Sequence, residues 1–427
     1  MVKGTISKNS IKIAVDLTPI LSGGINGGAK IMTLRLIQQL SIQAPNYHFI
    51  LICTKENYTE LSQLECKNIQ IFNLSKSTKE KLEITNDHTK QTSPKQYITL
   101  LNNFPKIKKI IQYAFSECKN YLFSKKIKRL IQPDILFCPF TAPFFYTLKV
   151  PIISVIYDLQ FIYYPYFFSE KEVSERKKHF KAACKQATKL ISISEFTKKT
   201  ILENNPIKPE KIKTIYIKQA YRLTNIQFDS LTKTLQQYRV TENNFLLYPA
   251  NFWPHKNHSL LITAFNIYLN QYPHRPLKLV CTGTDNLQKK QLINSVKRMG
   301  LANSIIFPGY LTDTEFSHVL NGCLALIFPS LYEGFGMPIL EAMAVGKPVL
   351  CSNITSMPEI TENAALLFDP RKPEEIANTI KQITDPVLLK KLVRLGSQRI
   401  KHFANETDMA NEYLQVFQET LKINPRI

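Results

Sequence analysis

Residues 325–351 read ALIFPSLYEGFGMPILEAMAVGKPVLC and carry the clearest local pattern in the chain. The apolar run at the start of this stretch predicts a buried strand, and a loop with Glu333, Gly334 and Gly336 follows it. Pro338 is typical of the first turn of a helix, and a second short apolar run closes the stretch. The order strand, loop, helix, strand predicts a parallel βαβ unit. Its loop then lies at the carboxyl end of a strand, where open α/β sheets bind their ligands.

The loop combines features that suit a phosphate and a sugar. Backbone N–H groups at the start of a helix attract an anion, and glycine lets the chain come close to it. Glu333 precedes the helix and Glu341 lies inside it, so both carboxylates can face one pocket and accept hydrogen bonds from vicinal hydroxyls. In the alternative interpretation Glu341 is a solvated helix residue and the glycines only form a turn.

The stretch Glu-Gly-Phe-Gly-x-Pro-x-x-Glu-Ala-Met-Ala-x-Gly-x-Pro-Val, from Glu333 onward, resembles the group 1 (family 4) retaining glycosyltransferases of the GT-B fold. The resemblance implies that Glu333 contacts the transferred sugar and that Glu341 binds the ribose of the nucleotide. It also implies donor contacts from the main chain around Gly334, Phe335 and Gly336. The implied fold is α/β, with two doubly wound Rossmann-like domains that face a cleft.

Chain length agrees with two domains. A chain of 427 residues is too long for one ordinary core and suits two domains of about 200 residues each. Strand-like and helical runs alternate, which is typical of doubly wound α/β domains. We predict an acceptor-binding domain over residues 1–240, with a loose basic segment at 75–130, and a donor-binding domain over 241–405. The resemblance implies that a last helix, 406–427, crosses back to the first domain.

Two segments of the first domain match the same family. A first strand ends near Asp16 and leads to a glycine-rich loop that contains Gly24, which fits the family's amino-terminal donor loop. Glycine turns after a first strand are common, however, and this one lacks the Gly-x-Gly-x-x-Gly spacing. Tyr157-Asp158 stands where the family usually has His-Asp, with that histidine close to the reacting sugar. Both residues are therefore catalytic candidates, although a tyrosine with a pKa of about 10 is a poor base. A buried strand aromatic is the alternative for Tyr157.

The segment after residue 248 carries the candidate phosphate ligands. Resembled enzymes grip the donor diphosphate with an arginine and a lysine, and Lys256 fits the lysine while Asn251 stands at the arginine's position. No Asp-x-Asp motif occurs, so we expect helix amides and Lys256 to meet the phosphate charge, without a metal or cofactor. His255 and His258 suggest a metal pair, but no third ligand lies near them in the sequence.

Composition limits the partners and the location. The net charge is +22, and residues 76–129 hold 13 Lys and Arg against four Asp and Glu, interleaved with apolar residues. Such a pattern is typical of a helix on an anionic membrane surface and equally of a solvated helix face. It predicts only non-specific nucleic-acid retention.

The eight scattered cysteines indicate reduced core residues. Without a visible signal peptide or membrane span, we predict a cytoplasmic protein, with peripheral membrane association as a further hypothesis.

The resulting prediction is a glycosyltransferase that moves a hexose from a nucleotide sugar, with retention. GDP-mannose is the favoured donor, and a saccharide or lipid-linked glycan is the acceptor, in cell-envelope polysaccharide or lipopolysaccharide synthesis. The alternative is a catalytically weak GT-B pseudoenzyme that binds a glycan or a membrane.

Overall fold

The protein contains two parallel β-sheets, each flanked by helices. The computed structural model describes residues 10–21, 27–74, 121–122, 124–125, 127–145, 148–218 and 228–423. The first sheet has the order β3-β2-β1-β4-β5-β6-β7. Its strands are β1 Ile11–Asp16, β2 Tyr47–Cys53, β3 Ile69–Asn73, β4 Ile135–Cys138, β5 Ile152–Ile156, β6 Lys189–Ser192 and β7 Ile212–Thr214.

The second sheet has the order β10-β9-β8-β11-β12-β13. Its strands are β8 Phe245–Pro249, β9 Lys278–Thr282, β10 Ile305–Gly309, β11 Ala325–Phe328, β12 Val349–Ser352 and β13 Leu366–Phe368. Every strand pair within the two sheets is parallel. In each sheet the strand order changes direction next to the strand that comes first in the sequence, β1 or β8, as in Rossmann folds. The predicted fold class is therefore confirmed.

Helices connect the strands and cover both sheet faces. In the first half of the chain they are α1 Gly27–Gln43, α2 Tyr58–Leu61, α3 Gln160–Tyr163, α4 Glu170–Gln186 and α5 Glu195–Asn204. In the second half they are α6 Phe228–Gln237, α7 His258–Gln271, α8 Leu287–Arg298, α9 Asp313–Gly322, α10 Met337–Ala344, α11 Met357–Thr361, α12 Pro373–Gln382, α13 Pro386–Arg399 and α14 Glu406–Ile423. Because helices cover both faces, central strands such as β5 and β11 are buried at every position.

Helix α6 lies next to the predicted boundary between the domains. Helix α6, assigned from the sequence to the first domain, packs against α9 of the second domain. Leu235 lies against Gly322, and the Thr234 hydroxyl lies 2.9 Å from Nδ1 of the buried His318. Leu231 and Leu235 stand one helical turn apart, and the second domain buries this apolar stripe. Helix α6, which the sequence prediction includes in 1–240, therefore packs with the second domain.

The last helix returns to the first domain. Helix α14 runs along α1, and Tyr413 and Phe417 both meet the ring of Phe137 in β4 edge-on. Lys218, which lies before the helix in the sequence, forms an ion pair of 2.6 Å with Glu412 of α14. This arrangement is the crossing that the family resemblance implies.

Two sequence-based predictions are only partly covered by the described residues. Of the cysteines within them, six are buried and Cys66 is exposed, and none of these seven forms a disulfide; Cys118 lies outside them. Most of the basic segment 75–130 also lies outside. Within the described part of the chain, no helix combines the length and the apolar character that a membrane span requires.

Candidate active site

A cleft of about 950 Å³ separates the two domains at the carboxyl ends of their strands. Both domains line it, as expected for the ligand edge of open parallel sheets. Its walls include Gly27, Gly28, Lys30, Glu60, Tyr157 and Asp158 from the first domain, and Asn251, Trp253, His255, Lys256, Gly283, Tyr310, Glu333, Gly334, Phe335, Gly336 and Pro338 from the second.

The loop between β11 and α10 forms one wall of this cleft. Gly336 caps α10 with a left-handed backbone (φ +97°), which favours glycine, and Pro338 lies in the first turn. The start of α10 therefore faces the cleft with the N–H of Met337, because Pro338 has no N–H and that of Ile339 donates to the carbonyl of Gly336 at 3.0 Å. A phosphate bound there would meet the positive end of the helix.

Lys256 and Glu333 meet within this wall. Their side chains form an ion pair of 2.5 Å, and both are largely buried, with 18% and 13% of their surface exposed. The backbone holds the pair in place, because the Tyr248 hydroxyl donates to the carbonyl of Lys256 at 2.6 Å. The N–H of Leu331 also donates to the carbonyl of His255 at 2.8 Å. A substrate phosphate would thus meet a lysine whose position is already set.

Gly334 brings the two domains into direct contact. A Cβ atom at this position would lie 1.9 Å from the carbonyl oxygen of Tyr157 and 3.3 Å from Cβ of Asp158. Only glycine permits this approach. The catalytic candidates of the first domain therefore lie against the loop that carries Glu333.

Asp158 has an unusual environment for a carboxylate. Burial raises its pKa above the ordinary value, and the nearby charge of Glu333 raises it further. The N–H of Gln160, which donates to Oδ1 at 3.1 Å, and the charges of Arg176 and Lys256 act in the opposite direction. The raised pKa makes Asp158 a better proton acceptor than an exposed aspartate.

Tyr157 lines the cleft, while its hydroxyl lies 3.1 Å from the buried hydroxyl of Thr33 in α1. Burial raises the tyrosine pKa, so the hydroxyl stays protonated at neutral pH. The contact with Thr33 holds the end of β5 against α1. It supports the structural interpretation of Tyr157 as well as the catalytic one.

The remaining predicted donor ligands are placed differently. Oδ1 of Asn251 accepts hydrogen bonds of 3.0 Å from the N–H and the hydroxyl of Thr284, so this amide holds the loop after β9. Glu341 is buried in α10, with 6% of its surface exposed, and does not line the described cleft. Phe335 lines the cleft and packs near Tyr216. Gly24 lies outside the described residues.

Sequence reasoning missed part of the lining. Lys30 is buried in α1 and pairs with Glu60 at 2.6 Å, a contact between residues far apart in sequence that no local pattern signals. Trp253 and Tyr310 present exposed rings to the cleft. Burial lowers the pKa of His255 and His258. Among the residues that the structure describes, no three His, Cys, Asp or Glu side chains are grouped to hold a metal ion.

The fold and the cleft define a two-domain GT-B protein. Residues 232–400 match the family model of glycosyl transferases group 1, and residues 93–217 match that of glycosyltransferase family 4. The chain is therefore a group 1 glycosyltransferase-like protein with the GT-B fold.

Individual relatives agree with this class. O-antigen chain mannosyltransferase B of Escherichia coli is 25% identical over 61% of this chain and 69% of its own length. The serotype-specific mannosyltransferase WbdA of Escherichia coli is 28% identical over 56% of this chain, which spans only 30% of that relative. The Anabaena HepE structure in complex with UDP and glucose has 18% identity and a TM-score of 0.68, covering 96% of this chain and 99% of its own.

Proposed function

We propose that this protein transfers a hexose from a nucleotide sugar to a saccharide or lipid-linked glycan, in cell-envelope polysaccharide or lipopolysaccharide synthesis. The observation that carries the proposal is the Lys256–Glu333 pair beside the start of α10, facing Asp158 across the cleft. A cation, the positive end of a helix and two carboxylates are the groups that a sugar diphosphate and a hydroxyl acceptor require.

The donor would lie on the second domain. The diphosphate would contact Lys256 and the N–H of Met337 at the start of α10, which stabilise the charge that develops on the leaving group. Glu333 would accept hydrogen bonds from the sugar hydroxyls. Glu341 is our candidate for the ribose, although its side chain is buried and lies outside the lining of the described cleft, so the nucleotide would need a path to it.

The acceptor would approach from the first domain. Its hydroxyl would donate a hydrogen bond to Asp158, which orients the oxygen towards the anomeric carbon. The bond from that carbon to the phosphate oxygen breaks, a bond to the acceptor oxygen forms, and the hydroxyl proton passes to the departing phosphate. Attack on the face that the phosphate leaves gives retention of configuration.

GDP-mannose is the donor that we favour, because the curated relatives reported above are mannosyltransferases by name. The UDP and glucose in the HepE structure make uridine the competing base. We further propose a cytoplasmic site of action at the membrane surface, since a lipid-linked acceptor would be held there.

The first test is a panel of GDP-, UDP-, ADP- and dTDP-hexoses with the purified chain. Calorimetry measures binding of each donor. Release of the nucleoside diphosphate measures slow donor hydrolysis, and NMR identifies the anomer of any product. We expect GDP-mannose to bind best and its affinity to fall roughly tenfold or more in Glu341→Gln, which removes a charged acceptor.

The matched control is Glu374→Gln, because Glu374 is an exposed carboxylate at the start of α12. This variant should bind the donor as the wild type does. Binding without any donor hydrolysis or transfer would favour the pseudoenzyme. A chain that binds no nucleotide sugar would overturn the proposal.

A further inference from the structure

A carboxylate of the second domain reaches across to a helix of the first. Glu359, in α11, accepts hydrogen bonds from the backbone N–H groups of Glu195 at 2.7 Å and of Phe196 at 2.9 Å. These amides open helix α5, where no partner inside the helix exists for them. The bonds are charge-assisted and the carboxylate meets the positive end of the helix dipole, so the contact is stronger than an ordinary surface bond.

The segment that carries Glu359 also holds the loop between β11 and α10, which contains Glu333. The Ser356 hydroxyl lies 3.0 Å from the carbonyl oxygen of Glu333 and 3.2 Å from that of Phe335. The hydroxyl of Thr355 accepts from the N–H of Glu333 at 3.3 Å. Segment 355–359 therefore connects the backbone of Glu333 at one end with the first domain at the other.

Helix α5 contacts the same loop from the opposite side. The hydroxyl of Ser194, the N-cap of α5, donates to the carbonyl of Gly334 at 2.7 Å. The hydroxyl of Thr197 in the first turn donates to the carbonyl of Tyr157 at 3.2 Å. One helix start thus contacts Glu359, the loop after Glu333 and the peptide that precedes Asp158.

The chain's return to the first domain is tied to this contact as well. Arg399 ends α13, just before the crossing into α14, and its guanidinium donates to the carbonyls of Glu359 at 2.7 Å and Ile360 at 2.8 Å. The segment that bears the carboxylate is therefore anchored at the point where the chain changes domain.

From these contacts we propose that Glu359 is a positioning residue for the transfer reaction. By binding the start of α5, it sets the distance and register of Glu333 against Asp158, so that donor and acceptor groups meet. This inference rests on the proposed function. It assigns to Glu359 no contact with substrate, because the carboxylate is occupied by the two amides and by the hydroxyl of Tyr216.

The test is Glu359→Gln, which keeps the size of the side chain but removes its charge and one of its two acceptor oxygens. We expect hydrogen exchange of the Glu195 and Phe196 amides to rise by roughly tenfold, since a charge-assisted bond is lost. We expect kcat to fall by roughly tenfold, while the dissociation constant of the donor stays within about twofold, because the proposed phosphate ligands, Lys256 and the start of α10, lie on the second domain. Adding Ser194→Ala should lower kcat by less than the product of the two single effects, because both changes loosen one contact.

Glu374→Gln serves again as the control, and it should change neither exchange nor kcat. Unchanged amide exchange in Glu359→Gln would overturn the proposed contact. Faster exchange with an unchanged kcat would overturn the positioning role. If the wild type binds no nucleotide sugar, the proposed function fails, and the exchange measurement still decides whether Glu359 binds α5.

Discussion

The variant Gly334→Ala tests how closely the two domains must approach. The new Cβ would lie 1.9 Å from the carbonyl oxygen of Tyr157, which belongs to the backbone and cannot rotate away. An ordinary contact needs about 3.4 Å, so the domains or the loop must separate by about 1.5 Å. The backbone of Gly334 is not in the left-handed region, so alanine adds this contact without backbone strain.

A displacement of that size separates Glu333 from Asp158. Misplacement of reacting groups by about 1 Å costs roughly a hundredfold in rate, equivalent to about 2.7 kcal/mol. We therefore expect kcat/KM of transfer, or of donor hydrolysis if no acceptor is known, to fall about a hundredfold. Nucleotide affinity should change little, because Lys256 and the start of α10 stay intact.

Gly396→Ala is the control for this variant. Its new Cβ would lie 3.3 Å from the flexible side chain of Met343 and 3.8 Å from the Cα of the same residue, within the second domain. It should keep its activity. A kcat/KM for Gly334→Ala within about threefold of the wild type would refute the reasoning, because the cleft would then tolerate the separation.

Three further predictions follow from single contacts. Lys256→Gln should weaken nucleoside diphosphate binding about tenfold or more in calorimetry, since it removes the cation and leaves Glu333 without its ion pair. Asp16 is buried, and burial raises its pKa from 3.8 to about 6. The free energy of unfolding of the wild type should therefore fall by up to about 3 kcal/mol relative to that of Asp16→Asn as pH rises from 4 to 7. Denaturant unfolding across that range measures the difference, and a constant gap would contradict the assignment. The hydroxyls of Tyr157 and Thr33 bind each other, so Tyr157→Phe and Thr33→Val should each lower the free energy of unfolding by about 1 kcal/mol. Both variants should keep kcat within about threefold of the wild type. A large loss of kcat in Tyr157→Phe alone would show that the tyrosine hydroxyl is catalytic.

Local sequence patterns correctly predicted the strand and the helix on either side of the loop that contains Glu333. Continuous apolar runs such as Ala325–Phe328 become strands buried on both faces, and the glycine and proline around the helix start mark its first turn. These signals lie within a few residues of each other, so the sequence alone contains them. The sequence alone could not assign α6, because its apolar stripe fits either domain and only the tertiary structure shows it packed against α9.

The sequence by itself determined the fold class, the two-domain organisation and the loop with Glu333, because periodicity, capping and glycine turns are short-range properties. Only the tertiary structure decided which side chains meet. It joined Lys256 to Glu333, paired Lys30 with Glu60, buried Glu341, and brought Glu359 to the start of α5. Such contacts join residues that are dozens of positions or more apart, and their distances depend on how whole sheets and helices pack. For that reason no stretch of sequence, read on its own, specifies them.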